Sequence, residues 1–111
     1  MMKLLTITVP SYNSEAYLDR CMATVLPGGD EVEILIVDDG STDRTAEIAD
    51  EYERKYPNIV RAIHKENGGH GDAVTTGIRN ATGLFFKVVD SDDSLAPEAY
   101  KQVLDFLRRI V

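Results

Sequence analysis

The stretch VEILIVDDGSTDRTAEIADEYERKY, residues 32–56, changes its periodicity midway. VEILIV (32–37) is apolar and β-branched and reads as a strand. DDGSTD (38–43) is a turn rich in helix-capping residues. Beyond it Ile48, Ala49, Tyr52 and Tyr56 recur at helical spacing, with Glu and Arg on the other face, until Pro57 and Asn58 stop the pattern. A strand, a polar turn and an amphipathic helix make one unit of an α/β fold, and the unit repeats on both sides.

Upstream, KLLTITV (3–9) runs through Pro-Ser-Tyr-Asn into a helix whose Leu18, Cys21, Met22 and Val25 share one face, with Asn13 or Ser14 as its expected cap. LPGGD then closes that helix. Downstream, IVRAIH (59–64) leads through KENGGHG into a helix near 72–81 ended by Gly83. LFFKVV (84–89) leads into VVDSDDSL (88–95). A last helix then begins at Pro97 and carries Tyr100, Val103, Leu104 and Leu107 as its apolar stripe. Strands alternating with helices predict right-handed βαβ crossovers, a mainly parallel Rossmann-like sheet and helices on both faces.

In such sheets ligands bind beyond the carboxyl ends of the strands. PSYN, DDGSTD, ENGGHGD and DSDDS all follow strands, so the fold gathers them at one edge. The connections at the opposite edge (LPGGDE, YPN and ATG) are short and carry little chemistry.

The bulk properties narrow the ligand. With 111 residues, 43% of them apolar and 28% charged, the chain is expected to form one domain, residues 1–111. Its formal net charge of −7 disfavours nucleic acid and acidic membrane surfaces. No run is long enough to span a membrane and no leader resembles a signal peptide, while a single cysteine, Cys21, fits a reducing compartment. A cytoplasmic location is expected, with any membrane association made by parts outside this chain.

Asp90 and Asp92 are two apart. In extended chain their carboxylates would face one way, roughly 6.6 Å apart, a spacing that suits Mg2+ or Mn2+ shared with substrate phosphates. A solvated acidic loop is the alternative. Asp93 and Ser94 read as the start of the last helix. Asp38 and Asp39 can cap the second helix, accept from a base or ribose, or do both, one being structural and the other exposed. Tyr12 either stacks on a base or packs over the sheet end. NGGHGD (67–72) offers flexible backbone before a helix N-terminus, where phosphate is accepted. His70 reads as a surface loop residue, and with only His64 and Cys21 besides, zinc has no ligand set. Lys87 within FFKVV either snorkels or sits at an edge, and no role is assigned to it.

Taken in order, ITVPSYNSEAYLDRC, EILIVDDGSTDRTAEIADEY, HKENGGHGDAVTTGI and GLFFKVVDSDDSLAPEAY resemble the nucleotide-binding half of the family 2 glycosyltransferases, which have the GT-A fold. The resemblance covers residues 4 to about 100. It implies a metal-dependent, inverting transfer of a hexose from a nucleoside-diphosphate sugar, chiefly a UDP-sugar, to a saccharide or lipid-phosphate acceptor. By position, Pro10 and Tyr12 line the base, Asp39 reads the pyrimidine, Asp90 lies near the ribose and diphosphate, and Asp92 is the direct Mg2+ or Mn2+ ligand. Two departures stand out. Ala73, Val74 and Thr75 replace the Ala-Arg-Asn common in the family, and Asn67-x-Gly69-x-Gly71-x-Ala73 looks more like the polyprenyl-phosphate sugar transferases.

In this fold the acceptor site and general base follow the DxD segment, and almost nothing follows it here. The chain therefore reads as the donor-binding half of a longer enzyme, inactive by itself, with exposed apolar surface and a tendency to self-associate. Asp43, Asp72 and Asp93 are the remaining carboxylates, and no pattern marks one as the base. Two other classes stay open: a phospho-acceptor receiver, whose acidic pair would follow the first strand, and a non-catalytic nucleotide-binding fragment.

Overall fold

A computed structural model describes residues 2–111. Its strands are β1 (Leu5–Ser11), β2 (Val32–Asp39), β3 (Val60–Lys65) and β4 (Phe85–Val88), and its helices are α1 (Leu18–Val25), α2 (Thr45–Lys55), α3 (His70–Asn80) and α4 (Pro97–Ile110). A 3-10 segment, Leu26–Glu31, joins α1 to β2 around Gly29, whose φ of +71° lies where glycine is favoured. The strands form one parallel sheet in the order β3-β2-β1-β4.

That order explains where the helices lie. The chain steps from β1 to β2 to β3 in one direction, then crosses back to β4 on the far side of β1. Right-handed crossovers in opposite directions must use opposite faces. Accordingly α1, α2 and α4 share a core with Ile7, Val9, Ile34 and Ile36, built on Leu18, Cys21, Met22, Val25, Ala49, Tyr100, Leu104 and Leu107. α3 covers the other face, where Ala73 meets Leu35 and Val37. β1 and β2 are buried along their whole length, because both of their faces are covered. Each fully buried Ile or Leu contributes about 1.5–3 kcal/mol by leaving water.

α3 comes close to β1. A methyl group at Gly77 would stand 2.3 Å from Thr8 Cγ2, so only glycine lets the helix reach this depth.

Several sequence expectations shift. α3 begins at His70, two residues earlier than expected, and ends at Asn80, one residue before the expected end and short of Gly83. Gly83 instead donates its N–H to Thr6 Oγ1 (2.9 Å). Val103 belongs to the exposed side of α4, while Tyr100, Leu104 and Leu107 are buried. Lys87 does lie on an edge strand and is exposed.

The opposite sheet edge is tied more firmly than its short turns suggest. Glu33 is buried there and accepts from Thr6 Oγ1, the Thr82 N–H and Thr82 Oγ1, each at 2.9 Å. Burial alone would raise its carboxyl, but these donors and the Arg61 charge outweigh it and hold it below the usual carboxylate range.

Candidate functional site

Register decides what meets at the carboxyl edge. β1 ends with Ser11 beside Asp38, and β3 ends with His64 beside Asp38 and Lys65 beside Asp39. Alternation then sends each pair to opposite faces. On one face His64 lies between two carboxylates, with Nδ1 2.9 Å from Asp38 Oδ2 and Nε2 2.7 Å from Asp50 Oδ1. These two hydrogen bonds raise its pKa. Asp38 also accepts the Ser41 N–H at Oδ1 (3.0 Å).

Asp39 serves the other face. Its Oδ1 accepts from Lys65 Nζ (2.8 Å) and the Gly68 N–H (2.9 Å), and its Oδ2 from the Gly69 N–H (2.9 Å) and Asn67 Nδ2 (3.4 Å). Burial alone would raise the carboxyl. The Lys65 ammonium and the two glycine amides outweigh that and hold it below the usual carboxylate range. The expected split into one structural and one exposed aspartate does not occur, because Asp38 and Asp39 are both buried, at 4% and 3% exposure. Lys65 also pairs with Asp72, so the glycine loop and the start of α3 hang from the end of β2.

The first two loops lace together in place of the expected local caps. Asn13 (φ +49°) donates its N–H to Ser41 Oγ (3.0 Å), and its side-chain oxygen accepts the Thr42 N–H (2.8 Å). The Ser14 N–H donates to Thr45 Oγ1 (2.7 Å), and Asp43 accepts the N–H groups of Glu15 (3.2 Å) and Thr45 (2.9 Å). α1 consequently has no side-chain cap. The Ser14 and Ser91 hydroxyls, 2.6 Å apart, tie the first loop to the last.

That last loop is a turn rather than extended chain. β4 stops at Val88, and the Asp93 N–H donates to the Asp90 carbonyl (2.9 Å). Folded this way, Asp90, Asp92 and Asp93 each place a carboxylate oxygen within 4.8 Å of the others. Asp93, read from sequence as a helix start, belongs with the other two, and α4 begins later, after Ala96. The donor set is all oxygen, as Mg2+ and Mn2+ prefer. Among the described residues no Lys or Arg pairs with any of the three. The cluster's charge reaches into the core: burial first, then Asp93, Asp92 and Asp90, push the Cys21 thiol up to about 11.

Two cavities open between these loops. One of about 260 Å³ is lined by Pro10, Tyr12, Asp39, Asn67, Gly69 and His70, among others. A second of about 310 Å³ is lined by Pro10, Tyr12, Asn13, Tyr17, His70, Asp90 and Asp92, among others. The structure thus brings Pro10, Tyr12, Asp39, Asp90 and Asp92 to one place, with Tyr12 half exposed on the shared rim. This is the crevice where the strand order reverses, beyond β1. A roomier groove of about 410 Å³ lies behind the sheet between α1 and α4. It is mainly apolar, and its Arg108 is already engaged by Glu31.

Local reading missed His70. Its Nε2 lies 2.6 Å from Asp90 Oδ1, it lines both cavities, and it is the first residue of α3. The available signal was a lone imidazole flanked by Gly68, Gly69 and Gly71, where the backbone is free to present it.

A parallel sheet whose crevice combines apolar walls, a glycine loop and an acidic turn is the architecture of the GT-A nucleotide-sugar enzymes. S. aureus TarS residues 1–349 in complex with UDP-GlcNAc superposes with a TM-score of 0.83 at 29% identity, over 96% of this chain and 31% of that one. A mannosyltransferase from Pyrobaculum calidifontis, solved with GDP-Man and Mn2+, shares the fold at a TM-score of 0.82 and 23% identity, over 96% and 33% of the two chains. The chain belongs to glycosyl transferase family 2, which it matches over residues 6–110. It is 36% identical to the glycosyltransferase EpsJ of Bacillus subtilis, over 95% of this chain and 30% of EpsJ. It is 38% identical to the chondroitin synthase of Escherichia coli, over 96% of this chain and 16% of the synthase. The chain thus spans a third or less of these relatives. Membership in this family sets the phospho-acceptor receiver aside.

Proposed function

We propose that this chain is the donor-binding half of a metal-dependent, inverting glycosyltransferase that takes a UDP-sugar and serves a saccharide or lipid-phosphate acceptor. The observation that carries the reading is the joining of two cavities by Pro10, Tyr12 and His70, with Asp39 at one end and the acidic turn at the other. TarS, related in sequence as well as fold, has been solved with both UDP-GlcNAc and UDP.

In this reading Pro10 and the Tyr12 ring wall the base. Asp39 accepts the base N–H, exchanging its longest partner, the Asn67 amide at 3.4 Å, for it. Asp90 and Asp92 would hold a divalent cation, Mg2+ or Mn2+, with Asp93 adding charge. A cation held there would neutralise the diphosphate and so make it a better leaving group. The start of α3, whose His70 lines both cavities, favours negative charge nearby.

The general base is supplied elsewhere in the parent enzyme. Asp43 is committed to the first two loops and Asp72 to Lys65. Among the described residues β4 pairs only with β1, and Leu84 and Phe86 on this edge and Val103, Phe106 and Ile110 on α4 are exposed. Those side chains form the surface on which the rest of the enzyme packs, and on which the isolated chain self-associates. Light scattering at high concentration checks the latter: a monodisperse monomer counts against it.

Calorimetric titration of UDP in the presence of Mn2+ tests the central claim. Binding should be weak but measurable, with no turnover. Asp92→Ala should remove the metal-dependent part, and identical heat and affinity for this variant and wild type would refute the metal role.

A further inference from the structure

The geometry points to His70 as a positioning residue of the donor site, one that fixes Asp90 for the cation and couples the glycine loop to the acidic turn. This rests on the donor-site reading above and gives a role to a residue of the glycine loop to which the resemblance assigned none.

Asp90, Asp92 and Asp93 crowd three carboxylates together, yet among the described residues only one side chain donates a hydrogen bond to any of them. That donor is His70. A carboxylate offers only lone pairs, so the ring nitrogen facing it, Nε2, must carry the hydrogen. The contact spans 20 residues of sequence and is 2.6 Å long, although the imidazole is 63% exposed. An exposed side chain held at that distance has given up rotamer freedom for a specific partner.

The backbone beneath His70 is held equally firmly. Gly69 precedes it at φ +95°, a conformation unfavourable for residues with a Cβ, and the N–H groups of Gly68 and Gly69 are bound by buried Asp39. A rigid carboxylate at the end of β2 therefore sets where the imidazole stands, and the imidazole sets one oxygen of Asp90. The other oxygen of Asp90 is left to a cation. Hydrogen bonds of this kind to metal-binding carboxylates typically change metal affinity by about 10–100-fold when removed. Because His70 also lines the cavity assigned to the base, a nucleotide and a cation act on the same residue from two sides.

The test compares UDP affinity with and without Mn2+ for wild type, His70→Ala and His70→Gln, by calorimetry on the full 111-residue chain. In His70→Ala the enhancement of UDP binding by Mn2+ should fall about tenfold, well beyond any loss of metal-free affinity from the cavity His70 also lines, with the melting temperature unchanged. His70→Gln, whose amide N–H can reach the place of Nε2–H, should recover most of the enhancement. Wild-type enhancement in His70→Ala would overturn the assignment, as would equal losses with and without metal, which mark a merely structural role. Failure of His70→Gln to recover anything would rule out the hydrogen bond as its basis. If wild type itself shows no enhancement by Mn2+, the donor-site reading falls and the role of His70 falls with it.

Discussion

Asp39 and Asp92 stand at the same edge of one sheet, in turns that look alike in sequence, and their surroundings are opposite. Asp39 is buried and has a donor on every side, two of them main-chain amides and one an ammonium. Asp92 is exposed, has no side-chain donor among the described residues, and shares its space with two other carboxylates. The fold has already answered the charge of the first. It leaves the second unanswered, at a cost in mutual repulsion that a cation would relieve. An acid whose partners are all internal builds the site, whereas an acid without partners is available to a ligand.

Removing Asp39 should have the largest effect on the fold. Asp39→Ala leaves the Gly68 and Gly69 amides without their acceptor and should destabilise the chain by about 2–4 kcal/mol. This would appear as a lower urea midpoint at an unchanged slope. A midpoint equal to wild type would erase the contrast.

Asp92→Ala should do the reverse. Stability without metal should stay within about 0.5 kcal/mol of wild type, while Mn2+ affinity measured by calorimetry drops about tenfold or more. Marked destabilisation would make Asp92 a second Asp39.

Asn13→Ala probes the lacing that holds the first two loops. The Thr42 N–H loses its acceptor, and alanine must take a φ of +49°, so about 1 kcal/mol should be lost in thermal or chemical denaturation.

The smallest effect sharpens the comparison through pH. His64 has a raised folded pKa, so its stabilisation is complete below its unfolded value near 6.5 and is lost as pH rises through the folded value. Asp39, held low, stabilises above about pH 4, and that share is lost as pH falls through its folded value. Stability followed between pH 5.5 and 8.5 should therefore decline by less than about 1 kcal/mol, since the pair is partly exposed. His64→Gln should flatten that decline, and a decline of the same size in the variant would assign it to another group.

The four strand-to-helix units were legible because periodicity is local: the apolar stripes of α1 and α4 and the run of β2 are set by neighbours a few residues apart. The gathering of polar turns at one edge followed from topology alone. The cap of α1 was not legible, because Asn13 serves the Thr42 N–H of the second loop and no short window of sequence contains both partners. Asp93 was misplaced since a turn, not a strand, carries the aspartates. His70 required knowing that β4 lies beside β1, which brings Asp90 alongside the glycine loop. Glu33 carries no local mark, since Thr6 and Thr82, which close around it, lie 27 and 49 residues away.

Cys21 carries the only thiol of the chain. It lies buried beneath the acidic turn, with its S–H directed to the Asp90 carbonyl at 3.7 Å and its pKa pushed up to about 11. Alkylating reagents are thus excluded twice, by packing and by the scarcity of thiolate. The sulfur is a clock placed under the turn: its rate of modification counts how often the turn lifts from α1, and a cation that stills the turn should slow the clock without ever touching it.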